Sequence, residues 1–156
     1  VNKPKKIILV APSPPTTENM ADDEKKRMLH HPNKEEAIQT VKNGIVKKLR
    51  RGKFEYAVNS QLRINTKAWN WWINEGMNHD ISMGIKNLEI PTFVICSKND
   101  PVISMDAIYN EVMPYLNKGT LIVFNRIGHL IPLEATRKLA RHIKKISKIK
   151  YDISTE

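Results

Sequence analysis

Two short apolar runs, each ending in a polar residue on a turn, constrain this chain more than anything else in it. The first, Ile90-Pro-Thr-Phe-Val-Ile-Cys-Ser-Lys-Asn-Asp100, is rich in strand formers and ends in an aspartate on a loop that Pro101 punctuates. The second, Thr120-Leu-Ile-Val-Phe124, leads through a short loop to Gly128 and His129, with Leu130, Pro132 and Glu134 just beyond. Ligands and chemistry gather at the carboxyl ends of buried parallel strands. If the two strands are parallel neighbours, Asp100 and His129 meet. An aspartate so placed accepts the Nδ1 proton of the imidazole, fixes its tautomer, and stabilises the imidazolium formed when Nε2 takes a proton from a nucleophile. Alone, His129 would read equally well as a core histidine; the paired strand end makes catalysis the better reading. Asp106, just after a helix-capping Ser104, is the alternative acid, but Asp100 lies nearer the strand end.

The rest of the chain is organised around these runs as an α/β fold. Residues 5–11 form an opening strand, and Pro12, Pro14 and Pro15 end it. Helices follow. Asn33 with Glu36 three residues on reads as a capping box, and Ala37, Ile38, Val41, Ile45 and Leu49 make one apolar face. Gly52 punctuates. Phe54, Ala57, Val58 and Leu62 mark a second helix, and Thr66 caps a third whose stripe is Ala68, Trp69, Trp72 and Ile73. Then come strand 91–97, helix 104–117, strand 119–125 and helix 135–149. Three parallel strands with right-handed crossovers are therefore expected, interrupted by an all-helical segment. There is no internal repeat and no low-complexity linker.

This order, with Asp100-Pro101 after one strand and Gly128-His129 after the next, resembles the C-terminal part of the α/β-hydrolase family, in particular its cap-bearing esterase and haloperoxidase-like members. In that family the triad runs Ser, then Asp or Glu, then His. The opening Lys6-Ile-Ile-Leu-Val-Ala-Pro-Ser-Pro-Pro15 looks like the strand that follows the nucleophile-bearing helix. The resemblance implies residues 1–13 as first core strand and turn, 14–85 as a helical cap or lid, and 86–156 as the C-terminal core carrying acid and base. It implies Asp100 and His129 as catalytic residues. Nearly the whole chain is covered, but the family's Gly-x-Ser-x-Gly elbow and oxyanion hole are not in it. The near miss is Asp80-Ile-Ser82-Met-Gly84, which lacks the first glycine and a preceding strand, and reads as a helix-terminating loop. Since the chain begins at Val1, it is expected to be the C-terminal portion of a longer hydrolase, inactive without the rest.

Composition excludes several other classes. The 156 residues hold 40% hydrophobic and 27% charged side chains, ordinary for a globular domain. No apolar run reaches the roughly 18 residues of a membrane span, and Ile7-Ile-Leu-Val10 is too short for a signal-peptide core. The net charge of +10 raises nucleic acid as a partner. The cations are scattered, however, or lie on the wet back of the last helix, whose Leu139, Ile143, Ile146 and Ile149 face inward. No specific nucleic-acid or membrane partner is expected. Cys96, within the Asp100 strand, reads as a packed core thiol in a reducing compartment, which suggests a cytoplasmic location. His30 and His31 are adjacent and point about 100° apart on a helix, so they cannot ligate together; no metal or cofactor is expected.

Substrate contacts are expected from the cap and the two catalytic loops. Trp71 lies off the Trp69 and Trp72 stripe, and Val102 and Leu130 follow the acid and the base, so these three are the candidate pocket walls. Glu134 is assigned to helix-dipole stabilisation rather than catalysis. The reading is a hydrolase of ester-like small molecules that needs the missing N-terminal half of its fold. The alternative is a non-catalytic half-domain that binds a partner or small ligand through cap and sheet edge. The unguarded edge of the first strand is expected to favour self-association.

Overall fold

The computed structural model describes residues 4–18 and 20–150, so the outermost residues of the first and last segments lie outside the described residues. Its centre is a parallel sheet of β1 (Ile7–Val10), β2 (Thr92–Ser97) and β3 (Gly119–Phe124), in the order β1-β2-β3. Ile7 pairs with Thr92 and Val10 with Ile95; on the other side Thr92 pairs with Gly119 and Ser97 with Phe124. Successive side chains on a strand face opposite ways. β2 accordingly sends Phe93 and Ile95 to one face, where they meet Ile131, Leu139 and Ile146, and sends Val94 and Cys96 to the other, against Ile108, Val112 and Leu116. All six residues of β2 are buried, which explains a continuous apolar run instead of an alternating one. Full burial of a side chain such as Ile95 is worth about 1.5–3 kcal/mol.

Between β1 and β2 runs a helical insertion: α1 (Asp22–Met28), α2 (Lys34–Asn43), α3 (Arg51–Leu62), α4 (Thr66–Asn74), a 3₁₀ turn at Gly76–Asn78 and α5 (Ser82–Ile85). Ala37, Val41, Ala57 and Val58 give it a small core of its own, onto which Leu130 and Leu133, from the segment just after β3, pack. Asn33 caps α2 by accepting the Glu36 N–H at 3.1 Å, as the capping pattern predicts. None of the helices among the described residues is long and apolar enough to cross a membrane.

Several local expectations are corrected. α2 ends at Asn43 instead of running to Leu49, because the Gly44 carbonyl is taken by the His129 N–H at 2.8 Å and the next amides turn to Glu134. Tertiary partners have replaced the helical ones. Gly52 is the second residue of α3, not a breaker. The cap of α4 is Asn65, which accepts from the Lys67 and Ala68 amides; Thr66 is already helical. Ser82 opens α5, its N–H held by Asp80 at 2.8 Å, and does not end a helix. The expected helix 104–117 is distorted. α6 (Met105–Ala107) widens to π geometry over Ile108–Val112 and tightens to 3₁₀ over Met113–Tyr115, since Pro114 has no N–H to give and its ring crowds the preceding turn. The last helix, expected over 135–149, is α8 (Thr136–Lys148), but a separate turn, α7 (Ile131–Glu134), precedes it, so Glu134 ends α7 instead of opening the last helix. Lys6 reaches back to its end, donating to the Ile146 carbonyl at 2.8 Å.

Candidate active site

β2 and β3 are parallel neighbours in register, so their carboxyl ends deliver two loops to one place. There Asp100 Oδ2 lies 2.9 Å from His129 Nδ1. The aspartate side chain is 2% exposed and the imidazole 28%. A buried carboxylate needs acceptor sites filled, and here they are. Oδ1 accepts from the Val102 and Ile103 amides at 2.8 and 3.0 Å, which leaves Oδ2 aimed at the ring. An ionised carboxylate can only accept, so the proton on this side of the imidazole resides on Nδ1 and a neutral His129 presents Nε2 as a lone pair. No hydrogen bond occupies Nε2 among the described residues. Asp106 stays on α6 beyond its Ser104 cap, without a bond to the histidine.

The two loops are laced to each other by side chains that spacing alone does not single out. Ser97 Oγ donates to the carbonyls of Phe124 and Ile127 and also accepts the Asn99 N–H. Asn99 Oδ1 accepts the Arg126 N–H at 2.8 Å, and Arg126 takes a left-handed φ of 58°, uncommon for a residue with a side chain. The bond from Asn99 holds that turn. Directly below, burial first and the Asp100 charge second push the Cys96 thiol up to about 11. Cys96 is buried, its Sγ 3.7 Å from Met105 Sδ.

Glu134 has a role that the dipole argument does not reach. Its Oε1 accepts the Gly128 N–H at 2.9 Å, and its Oε2 accepts the Val46 and Lys47 amides at 3.0 and 2.7 Å. One carboxylate thus joins the histidine loop to the segment after α2, alongside the bond from His129 N to the Gly44 carbonyl. Gly128 is required by that closeness. A Cβ there would stand 2.6 Å from Glu134 Oε1, 2.6 Å from the Gly44 carbonyl and 2.7 Å from Val46 N, where no side chain fits. The sequence signal was present as Gly-His followed by a glutamate, but the partners come from residues 80 or more positions away.

Of the three candidate substrate contacts, Val102 is exposed beside the acid, and Leu130 is partly buried against the insertion core. Trp71 stands apart from both, half-exposed at the end of α4 next to Trp72. Trp72 does not share the inward face of Trp69, as the stripe predicts. Trp69 stacks on His31 and donates to the Met28 carbonyl at 2.8 Å, whereas Trp72 folds with Trp71 over Gly76. Ser82 is buried, and hydrogen bonds from its side chain and backbone hold Asp80 below the usual carboxylate range; none joins it to His129. Among the described residues no group of three or more His, Cys, Asp or Glu could hold a metal ion.

No family model matches the sequence, and no curated protein matches it. Solved structures do. The chain is similar to an esterase from Exiguobacterium antarcticum, with a TM-score of 0.82 and 15% identity over 93% of this chain and 57% of that one. A bromoperoxidase from Bacillus anthracis matches with a TM-score of 0.78 and 10% identity, over 93% and 58% of the two chains. A 2-hydroxy-6-oxo-6-phenylhexa-2,4-dienoate hydrolase from Rhodococcus sp. strain RHA1 matches with a TM-score of 0.67 and 16% identity, over 93% and 56%. The chain therefore spans little more than half the length of each. Identities this low speak for fold alone, and the fold is the same in all three. With its parallel sheet, its helical insertion and these likenesses, the chain has the architecture of the C-terminal portion of an α/β-hydrolase.

Proposed function

We propose that this chain supplies the acid and the base of a Ser-Asp-His hydrolase acting on an ester-like or related bond of a small molecule. The nucleophile and oxyanion hole would lie outside its residues. The observation that carries the reading is the 2.9 Å contact between a dry, doubly anchored Asp100 and the Nδ1 of a partly exposed His129. Fold neighbours described as an esterase and a hydrolase support it.

In the reaction, His129 Nε2 removes the proton of the incoming serine hydroxyl as the oxygen attacks the substrate carbonyl, and Asp100 stabilises the imidazolium. His129 then gives that proton to the departing alkoxide, leaving an acyl-enzyme. Water, deprotonated by the same Nε2, releases the acid. The helical insertion serves as a cap, with Val102 and Leu130 as apolar contacts that set specificity, while Trp71, the third candidate contact, lies away from them. β1, at the edge of the sheet, offers its free side to the strand of the missing half, or to a second copy when that half is absent.

The test is to assay the chain alone and joined to a segment that completes the fold, with a short-chain p-nitrophenyl ester and a serine-directed phosphonate label. Turnover and labelling in the joined form only are expected. Turnover by the isolated chain would place the nucleophile inside it and overturn the assignment. A joined form that folds yet neither labels nor turns over would favour a non-catalytic, partner-binding half-domain.

A further inference from the structure

We propose that the end of the helical insertion is a binding site for a small organic ammonium, formed by the indoles of Trp71 and Trp72 and the carboxylate of Glu18. The site does not depend on the hydrolase reading, because neither Asp100 nor His129 lines it.

Adjacent helical residues normally point about 100° apart. Trp71 and Trp72 nevertheless converge on one spot, because the chain turns back beneath them at Gly76. A Cβ on Gly76 would lie 2.8 Å from Trp71 Cζ3 and 2.9 Å from Trp72 Cε3. His79 closes one side, edge-on to Trp71 with ring centroids 5.7 Å apart. The opposite wall is the segment before α1, fastened across by two backbone bonds: Ile81 N to the Pro15 carbonyl and Glu18 N to the Met77 carbonyl, both 2.8 Å. Between them lies a cavity of about 230 Å³. Sites for drug-sized ligands run from about 300 to 1,000 Å³, so this one suits a headgroup.

Glu18 decides the chemistry. It is the one carboxylate among the described residues lining the cavity, and its Oε2 is shut off from solvent with no hydrogen-bond partner. Glu18 is only partly buried as a residue, but its Oε2 lacks a partner, and a cation held between the indoles would bring a positive charge next to this carboxylate. The indoles favour the same occupant. Trp71 is 50% exposed and Trp72 39%, leaving ring surface for a positive group, and tryptophan is the best partner for a cation over a ring. Two aromatic walls and a carboxylate are what a methylated ammonium needs, since its methyl groups pack on the rings while its charge is met by the anion. An anion would be repelled by Glu18, and a neutral ligand of equal shape would leave it unpaired.

Choline and its uncharged carbon isostere, 3,3-dimethylbutan-1-ol, separate charge from shape. Each is titrated into the 15N-labelled chain while the indole N–H resonances are followed, with Trp69, already bonded to the Met28 carbonyl, as the internal control. Choline is expected to shift Trp71 and Trp72 saturably and leave Trp69 still, and the isostere to bind about tenfold or more weakly. Glu18→Gln should weaken choline about tenfold without changing the isostere, and Trp71→Ala should weaken both, each variant keeping the wild-type spectrum elsewhere. Equal binding of the two ligands, an unchanged choline affinity in Glu18→Gln, or no shift of either indole would each overturn the proposal.

Discussion

The two ends of this molecule that carry exposed chemistry are built in opposite ways. At the ends of β2 and β3, side-chain acceptors from Ser97, Asn99, Asp100 and Glu134 take up loop amides, and the acid is almost wholly buried. At the end of α4, two half-exposed indoles rest on a glycine, and two backbone bonds across to residues 15 and 18 close the space. The proton relay proposed for Asp100 and His129 would tolerate little error in position, and the loops that carry them are tied down from several directions. Recognition by ring faces tolerates more. Under the proposed function, the difference would place the fixed chemistry at the sheet and the adaptable part in the insertion.

The most severe test of that contrast is kinetic. In a form joined to its nucleophile, Asp100→Asn should lower turnover on the order of 10⁴-fold with little change in KM, because the amide favours the wrong tautomer of His129. Trp72→Ala should change KM by less than about tenfold and leave turnover nearly intact. If the tryptophan variant costs as much as the aspartate one, the insertion belongs to the chemistry and the contrast fails. If Asp100→Asn keeps full turnover, the acid must be sought elsewhere, beginning with Asp106.

Dryness gives a second, smaller separation. With its thiol pushed from 9.0 up to about 11, Cys96 should alkylate at pH 8 at least about 100-fold more slowly in the native chain than in denaturant, on thiolate fraction alone. The same shift fixes a slope in stability. Because the folded thiol holds its proton longer than the unfolded one, its contribution is complete below pH 9.0 and is lost as pH rises towards about 11. Urea titrations across that range should show the decline in wild type and a shallower one in Cys96→Ala. Rapid native alkylation would mean that the core beneath Asp100 is open to water.

Much of this architecture could be read from residue patterns, and the omissions have two causes, distant partners and local signals that apolar spacing hides. Strand limits, the Asn33 cap and the meeting of Asp100 with His129 follow from local pattern plus one assumption, that the strands are parallel neighbours. The misjudged helix ends are places where distant groups overrule local preference. α2 stops short of Leu49 because His129 and Glu134 supply the partners that Gly44, Val46 and Lys47 would otherwise have found within a helix. The π turn at Ile108–Val112 is signalled by Pro114, but apolar spacing survives the distortion and hides it. Helical angle puts Trp72 on the face of Trp69, although Gly76 lets the chain fold under it.

Glu134 sharpens the contrast with the smallest effect, because its bonds tie the His129 loop to the insertion. Glu134→Gln keeps the shape but replaces a three-fold acceptor by an amide with one oxygen, so at least one of the Gly128, Val46 and Lys47 amides loses its partner. A charge-assisted bond at a partly exposed site is worth about 1.5 kcal/mol, and a loss of that order should appear in urea denaturation. Glu55→Gln, which breaks the exposed pair with Arg51, should leave the urea midpoint nearly unchanged. Amide exchange locates the effect. In Glu134→Gln, protection should fall at Gly128 and at Val46 and Lys47 together, while the amides of Glu18 and Ile81 exchange as before. If only Gly128 responds, the histidine loop and the insertion are fastened independently, and the insertion can move without disturbing the base.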